Sequence, residues 1–272
     1  MTEKISLAGD LGSGKSTVSD ILIKRLGAEY YSTGAIVRSV AEKRGMTVVE
    51  LNKYMETHPE LDKEIDDGLV ALSEVDKRLI IDSRMAWHFT KGTFKVYLSV
   101  DLETSAIRIM SANRKGEHAS SLEETMKETK ARRESEKKRY FEQYGVNIKD
   151  LSNYSLIVDT TYATPEEIAE CIATSFEMWL NDKNFKGVYV SSERLNYPDN
   201  EMDSELLSEL SAKLDMNEQI PIPEICEEDG EFYLVSNLES AVAYAMSFST
   251  FVPAKLVSKK PSGEYVKMKN SL

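Results

Sequence analysis

The feature that most constrains the fold of this chain is a glycine-rich stretch near its start, at residues 9–17. Its spacing is G-x-x-x-x-G-K-S, and its glycines let the backbone curl so that several N–H groups point into one concavity. Lys15 adds a positive charge for the β- and γ-phosphates of a nucleotide, and the Ser16 hydroxyl is placed to bind Mg²⁺. An apolar strand precedes the stretch and a helical pattern follows it, so we expect a phosphate-binding loop and not a chance glycine turn. The residues assigned to the loop are Gly9, Gly12, Ser13, Gly14, Lys15, Ser16 and Thr17.

The composition of the 272 residues indicates a globular protein with a sizeable core, because 41% are hydrophobic and 29% are charged. A net charge of −12 disfavours general binding to nucleic acid or to an anionic membrane. No apolar run approaches the ~20 residues of a membrane span, and the charged N-terminus does not resemble a signal peptide. The two distant cysteines, Cys171 and Cys226, fit free thiols in a reducing compartment, so we expect a cytoplasmic protein.

Strand and helix patterns alternate through residues 1–181, which indicates an α/β domain with a parallel sheet. The five predicted strands occupy residues 3–8, 28–31, 78–84, 94–100 and 154–159. Helices are predicted between and after them, and His58-Pro59 is expected to separate two of these helices.

A carboxylate and two arginines follow predicted strands, in positions where parallel sheets bind ligands. Asp82 and Arg84 come at the carboxyl end of the third strand, so Asp82 is placed to hold Mg²⁺ through water and Arg84 to hold a transferable phosphate. Arg38 lies one turn into the helix after the second strand. It is either an ordinary solvated arginine or a bidentate grip for a second phosphate.

An acidic face marks the predicted helix at residues 60–74, which carries Asp62, Glu64, Asp66 and Asp67 beside an apolar stripe. The face is either simply solvated or contains one carboxylate that contacts the amino group of a base.

A basic cluster marks the predicted helix at residues 121–143. Seven basic and three acidic residues fall within 127–139, although the whole chain is acidic. Arg132 and Arg139 lie seven positions apart and therefore share a helix face. A salt-bridged surface helix would explain the lysines well but the arginines poorly.

The alternation of strand and helix patterns stops at residues 181–185, where we expect a domain boundary. Residues 185–260 show the order β-α-β-β-α-β, which predicts a small α+β accessory module, with a hairpin around Asp229-Gly230. Residues 261–272 are expected to be a flexible tail. Residues 182–272 carry sixteen acidic and nine basic side chains, so the module is a possible contact for a protein partner or a second copy.

Residues 1–180 resemble the nucleoside monophosphate kinases, most closely the short cytidylate kinases familiar from archaea. The likeness lies in the phosphate-binding loop and in five further segments, at residues 33–38, 59–66, 82–87, 133–140 and 144–154. It implies a P-loop kinase with a five-stranded parallel sheet flanked by helices. It also implies transfer of a phosphoryl group from ATP, with Mg²⁺, to the small acceptor CMP or dCMP. The region after residue 185 weakly resembles the ParB/sulfiredoxin-like fold in its order of elements.

The resemblance also implies roles for particular residues. Acceptor binding would fall to Thr33, Gly34, Arg38, Asp66 and Arg84. Catalytic charge would come from Lys15, Arg84, Arg132 and Arg139, with a mobile lid near residues 108–140. Arg108 and Arg114 would join the phosphate-binding loop in holding ATP, and Ser16 and Asp82 would hold the metal.

The sequence departs from the usual pattern of these kinases at several positions. Asp10-Leu11 replaces two prolines, Ser83 replaces a glycine, and Asp67-Gly68 stands where basic residues are common. Two alternative hypotheses therefore stay open. The protein is either a P-loop kinase that acts on another small acceptor, or a nucleotide-binding sensor that no longer catalyses phosphoryl transfer.

Overall fold

The computed structural model describes residues 3–112, 121–247, 249–258 and 263–267. The strands are β1 (Lys4–Gly9), β2 (Glu29–Ser32), β3 (Leu79–Asp82), β4 (Thr93–Ser99), β5 (Leu156–Asp159), β6 (Gly187–Val190), β7 (Leu195–Pro198), β8 (Glu224–Glu228), β9 (Glu231–Ser236), β10 (Val252–Leu256) and β11 (Tyr265–Lys267). The helices are α1 (Lys15–Leu26), α2 (Thr33–Lys43), α3 (Val48–Met55), α4 (Pro59–Ala71), α5 (Ala86–Phe89), α6 (Leu102–Ser111), α7 (Leu122–Tyr144), α8 (Pro165–Asn181), α9 (Ser204–Asp215) and α10 (Leu238–Met246). None of the described helices combines the length and apolar character needed to cross a bilayer.

Within the described ranges, all eleven strands join one sheet in the order β11-β7-β9-β8-β10-β6-β5-β4-β1-β3-β2. The six strands from β6 to β2 in that order are parallel to their neighbours. Beyond β6 the pairing becomes mixed, because β10 runs antiparallel to β6 and β9 runs antiparallel to β8. The parallel half is the sheet expected of a P-loop kinase, and its central strands β1, β4 and β5 are almost entirely buried.

The predicted fold class and the five strands of the first 181 residues are confirmed, but the strand count differs from the prediction. The sheet does not end at β5. Strand β6 adds a sixth parallel strand, and β10 pairs antiparallel with the other edge of β6. The sequence pattern did not indicate β7 or β11, because β7 ends in a proline, which argues against a strand, and β11 has only three residues. The expected flexible tail therefore contains a paired strand, since β11 lies antiparallel to β7.

The hydrophobic core also continues across the expected boundary at residues 181–185. One buried cluster joins side chains from both parts of the chain, among them Ala8, Trp87, Tyr97 and Tyr154 from the first and Val188, Leu195, Phe232 and Val242 from the second. The division into a kinase domain and an accessory module stays a prediction. In the structure, the two regions share one sheet and one packed interior.

The carboxyl ends of five parallel strands meet at one edge of the sheet. Strand register aligns Leu7 of β1 with Asp82 of β3, and Asp82 with Ser32 of β2. On the other side, Gly9 aligns with Leu98 of β4, and Ser99 aligns with Asp159 of β5. The loops that follow these strands therefore lie side by side, as ligand-binding loops do in open parallel sheets.

Candidate active site

The phosphate-binding loop joins β1 to α1 and is pressed against two neighbouring elements. Gly9 and Gly12 have φ angles of +146° and +72°, and a Cβ atom at either would approach backbone oxygen of Leu98 or Ser105 to 2.3 or 2.6 Å. Gly14 has a φ of +80° with no such neighbour. Glycine is therefore required for conformation throughout the loop, and for close packing at its first two glycines.

The side chain of Lys15 lies across the mouth of the loop. Its Nζ donates to the carbonyl oxygens of Gly9 (3.1 Å) and Asp10 (2.8 Å) and to the hydroxyl of Ser13 (3.3 Å). Removal from water lowers the pKa of Lys15 to about 8, although the carboxylate of Asp82 opposes this shift. The ammonium group is held by weak carbonyl partners, which a phosphate can replace with a stronger charge-assisted contact.

Asp10 anchors the back of the same loop. Its buried carboxylate accepts hydrogen bonds from Lys149 Nζ, from the Tyr97 hydroxyl (3.0 Å) and from the amide of Val100 (3.2 Å). Arg133 approaches it to 3.9 Å. Burial alone would raise the pKa of Asp10, but Lys149 and Arg133 outweigh burial and hold that pKa below its usual value. The carboxylate of Asp10 therefore makes structural contacts that the proline usual at this position in these kinases could not make.

A buried ion cluster lies on the other side of Lys15. The carboxylate of Glu136 pairs with the Nε atoms of Arg84 and Arg132, the second at 3.1 Å. Glu136 is 6% exposed, yet these arginines and Arg139 hold its pKa below the usual value. Glu136 thus fixes two guanidinium groups from different elements, β3's end and α7, at one place.

Two carboxylates of α4 face the basic side of α7. Asp62 lies 3.6 Å from Arg139 Nε, and both groups are largely buried. Asp66 accepts a hydrogen bond from the Tyr144 hydroxyl, and burial together with neighbouring Asp62 raises the pKa of Asp66 to about 6. The acidic face predicted for this helix is therefore not simply solvated, because two of its carboxylates are buried.

Most of these groups line one cavity of about 600 Å³, which is large enough for more than one small molecule, whereas Asp10 and Lys149 lie behind the loop and outside it. Ser16 and Asp82 lie on its wall beside the phosphate-binding loop. Asp82 also accepts a hydrogen bond from the Tyr30 hydroxyl at 3.0 Å. A contact of 2.6 Å between Ser135 and Glu56 connects α7 to α3 across the cavity. The cavity thus combines a phosphate-binding loop, convergent arginines and buried carboxylates.

Comparison with known proteins identifies the family of this arrangement. Residues 5–150 match a protein-family model described as an AAA domain. The chain is 39% identical over 170 residues to the cytidylate kinase of Thermoplasma volcanium, a match that covers 61% of this chain and 87% of that enzyme. It is 34% identical over 187 residues to the cytidylate kinase of Sulfurisphaera tokodaii, covering 68% and 99%. The chain belongs to the cytidylate kinase family.

A third relative has a different name. The chain is 35% identical over 178 residues to an S-adenosylmethionine-dependent nucleotide dehydratase of Lacinutrix mariniflava. That match covers 65% of this chain but only 36% of the other protein. Family membership therefore rests on the kinase matches, which span nearly the whole of those enzymes.

The structure brings most of the predicted site residues of this family member together. Those that line the cavity are Gly12, Ser13, Gly14, Lys15, Ser16, Thr33, Gly34, Arg38, Asp66, Asp82, Arg84, Arg132 and Arg139. Gly9 contributes its carbonyl to Lys15 at the base of the loop, and Thr17 is exposed on α1. Arg114 lies outside the described residues. The roles of all these residues stay predictions.

Arg108, which the resemblance assigns to ATP binding together with the phosphate-binding loop, is not among the residues that line this cavity. Its guanidinium donates to the carbonyl oxygens of Thr160 (2.7 Å) and Thr161 (3.2 Å), just beyond β5. These carbonyl oxygens are available to the guanidinium because they lie just past the end of the strand, where the ladder no longer uses them.

Several functional contacts were not predicted from the sequence. The pairing of Glu136 with Arg84 joins residues more than fifty positions apart, and Lys149 reaches Asp10 across a longer separation still. The positions that depart from the family pattern also have local partners. Ser83 accepts a hydrogen bond from the amide of Met85 at the start of α5, and Gly68 leaves room for the Tyr31 hydroxyl.

We expect Gly12→Ala to impair ATP binding because its Cβ would collide with the backbone of α6 and displace the loop. A displacement of the loop by about 1 Å should lower kcat/KM for ATP by about 10²-fold. Gly27→Ala is a matched control, since Gly27 also has a positive φ, +62°, but no atom within 4 Å of the added Cβ. Steady-state kinetics at varied ATP would measure both, and equal losses would show that close packing at Gly12 is unimportant.

Proposed function

We propose that the protein transfers a phosphoryl group from ATP to CMP or dCMP, which yields ADP and the nucleoside diphosphate. Membership of the cytidylate kinase family supports the reaction class. The observation that carries the proposal is the convergence of Lys15 with four arginines in one cavity, Arg38, Arg84, Arg132 and Arg139. Phosphoryl transfer depends mainly on positioning and on neutralising charge, and this set of cations supplies both.

The arrangement of the cavity suggests where each substrate lies. The triphosphate of ATP would lie on the phosphate-binding loop, where Lys15 would exchange its carbonyl partners for the β- and γ-phosphates. The acceptor phosphate would lie between Arg38 and Arg84, on the side of the cavity near β2 and β3. Arg38 is exposed, and its guanidinium passes 3.4 Å from where a Cβ atom at Gly34 would stand, so a small residue there gives the arginine room to move.

The side chains of α7 would surround the group in transit. Arg132 and Arg139 face the cavity from the same side of that helix. The contact between Ser135 and Glu56 holds the helix near the acceptor side, which excludes water from the space between the substrates. Exclusion of water strengthens the electrostatic attraction of the arginines and suppresses wasteful hydrolysis of ATP.

The donor atoms near Lys15 fit a magnesium ion. The hydroxyl of Ser16 is exposed and the carboxylate of Asp82 is partly exposed, and both line the cavity. Oxygen ligands of this kind suit Mg²⁺, which usually also keeps several waters and substrate phosphate oxygens. We propose that Ser16 and Asp82 hold the ion, which when bound would neutralise charge on the β- and γ-phosphates.

Asp62 and Asp66 suit recognition of a base that carries an amino group. A carboxylate accepts a hydrogen bond from the N4 amino group of cytosine, whereas it repels the O4 carbonyl oxygen of uracil. Both carboxylates are buried, so water could not separate the uracil carbonyl oxygen from the carboxylate or supply the missing hydrogen bond. This pair therefore supports CMP over UMP as the acceptor.

The proposal is tested by ADP release from ATP and Mg²⁺ in the presence of each common nucleoside monophosphate. CMP and dCMP should be phosphorylated fastest, and Lys15→Ala, the blank, should show no turnover above background. Turnover of another acceptor with CMP inactive would contradict the cytidylate assignment. ATP binding without turnover of any monophosphate would support a nucleotide-binding sensor instead.

We expect the preference for CMP over UMP to weaken below pH 6. The pKa of Asp66, about 6, means that its carboxylate becomes protonated as the pH falls, and the neutral acid can donate to uracil O4. The ratio of kcat/KM for CMP to that for UMP, measured from pH 5.5 to 8, should fall by about tenfold or more, as a lost base contact predicts.

Asp66→Asn should abolish this pH dependence and give a low ratio throughout, because an amide can both donate and accept. Asp67→Asn is the matched control, since Asp67 is the next residue on α4 but is exposed and pairs with Lys63. A ratio that is unchanged in Asp66→Asn would exclude this residue from base recognition.

Two further expectations stay proposals. Cys171 and Cys226, which form no disulfide, suit a reducing, cytoplasmic location. Small nucleotides are the proposed ligands, and a protein partner or second copy bound through the acidic region after residue 185 stays a prediction.

A further inference from the structure

The region after residue 181 reaches the edge of the sheet where the proposed ATP site lies. Strand β6 runs parallel to β5, with Val158 opposite Tyr189. Both strands therefore end at the same edge, and the short turn Ser192–Arg194 that follows β6 lies beside Asp159 at the end of β5.

Arg194 is almost completely buried in that turn, with 3% of its surface exposed. Its guanidinium donates to the carbonyl oxygen of Gly230 at 2.9 Å and to the carboxylate of Glu231 at 3.3 Å, which fixes it to the β8–β9 hairpin. Its Nε lies 3.6 Å from Asp159 Oδ1 and, within the described residues, has no hydrogen-bond partner. An arginine buried in this way needs a counter-charge, and the carboxylates that it faces are those of Asp159 and Glu231.

The carboxylate of Asp159 holds the loop that follows β5. It is fully buried and accepts hydrogen bonds from the hydroxyl of Thr161 (2.7 Å), the amide of Thr161 (3.3 Å) and the amide of Ser191 (3.3 Å). Every one of these partners donates a hydrogen. The geometry therefore requires the ionised carboxylate, because a protonated acid would bring a further donor into a site that contains only donors.

A continuous set of hydrogen bonds leads from that loop to the phosphate-binding loop. The hydroxyl of Thr161 accepts from the amide of Asp101, whose carboxylate caps α6 by accepting from the amide of Thr104 at 2.8 Å. One turn later, the hydroxyl of Ser105 donates to the carbonyl oxygen of Leu11 at 2.5 Å. Helix α6 is thus held at one end by Thr161 and contacts the phosphate-binding loop along its first turn.

The base and ribose of ATP should lie near this loop. The proposed acceptor site occupies the side of the cavity near β2 and β3, and transfer requires the donor and the acceptor on opposite sides of the phosphoryl group. The nucleoside part of ATP must therefore extend towards β4 and β5. There Arg108 and the carbonyl oxygens of Thr160 and Thr161 lie at the sheet edge.

We propose that Arg194 is a positioning residue for ATP: it neutralises Asp159 and so fixes the Thr160–Thr161 loop and the first turn of α6 beside the phosphate-binding loop. The region after residue 181 is then an integral part of the donor site. The inference rests on the proposed function in one respect, the position of the ATP nucleoside near β4 and β5. Its test measures ATP binding alone and needs no acceptor.

The charges around Asp159 set the expected pH dependence. Arg194 and Arg108 face it as cations, while Asp101 and Glu231 are the neighbouring anions that the same two arginines contact electrostatically. Burial raises the pKa of Asp159 and Arg194 opposes that rise. Without Arg194 the carboxylate should take up a proton as the pH falls, lose its fit to Thr161 and Ser191, and loosen the loop.

The experiment is calorimetric titration of ATP with Mg²⁺ into the full chain at pH 6 and pH 8. Each Kd is divided by that of the unaltered protein at the same pH, which cancels the titration of Lys15. Arg194→Met should weaken ATP binding by about tenfold at pH 6, the size expected for a charged hydrogen-bonded contact, and by much less at pH 8. Asp159→Asn should weaken binding equally at both pH values.

Two variants keep the test decisive if Arg194→Met does not fold. Arg194→Lys retains the charge but not the whole set of guanidinium contacts, so it should weaken ATP binding less than Arg194→Met does and should show less pH dependence. Arg25→Met is the matched control: Arg25 lies in the last turn of α1 and pairs with Glu170 of α8, away from this edge, and its loss should not change the Kd.

The proposal is overturned if Arg194→Met leaves the ATP Kd unchanged, or if its weakening is the same at pH 6 and pH 8. It is also overturned if Asp159→Asn binds ATP normally. Direct binding separates this result from the fate of the proposed function, because a protein that binds ATP as expected but phosphorylates no CMP would contradict only the latter.

Discussion

The active-site cavity depends on one electrostatic constraint: several cations must be held close together in a partly buried space. Lys15, Arg84, Arg132 and Arg139 would repel one another there without internal counter-charges. Glu136 supplies the central one, since it contacts guanidinium groups from two elements, and Asp62 and Asp82 supply others. The buried carboxylates therefore allow the protein to keep its cations assembled before any phosphate arrives.

The same logic operates at the back of the phosphate-binding loop and at the end of β5. Asp10 is held by Lys149 and Arg133, and Asp159 is faced by Arg194. In each place a buried carboxylate fixes backbone amides or hydroxyls and is itself stabilised by a distant cation. Removal of one member of such a pair leaves an unpaired buried charge, which typically costs about 3–5 kcal/mol. These pairs also explain how the region after residue 181 can affect a site formed mainly by the first 181 residues.

The sequence was sufficient to predict the parallel sheet, the phosphate-binding loop and the family, because each depends on local patterns. The loop has a fixed spacing, and the buried strands are short apolar runs with turns between them. Pairings across the chain could not be predicted in this way. Nothing local in the sequence links Glu136 to Arg84 or Arg194 to Asp159, and the partner of a charge is set only when the sheet brings strand ends together. The extent of the sheet was missed for a local reason, since β7 ends in a proline and β11 has only three residues.

We infer that Glu136 orients Arg84 and Arg132 for the transition state and does not merely stabilise the fold. The most direct test of this inference is Glu136→Gln, with CMP binding and the kcat of phosphoryl transfer measured separately and exposed Glu134→Gln on the same helix as the control. Loss of the counter-charge should leave CMP binding as tight or tighter, while less well oriented arginines should lower kcat by about tenfold or more. An unchanged kcat, or a loss of CMP binding with kcat preserved, would contradict the account.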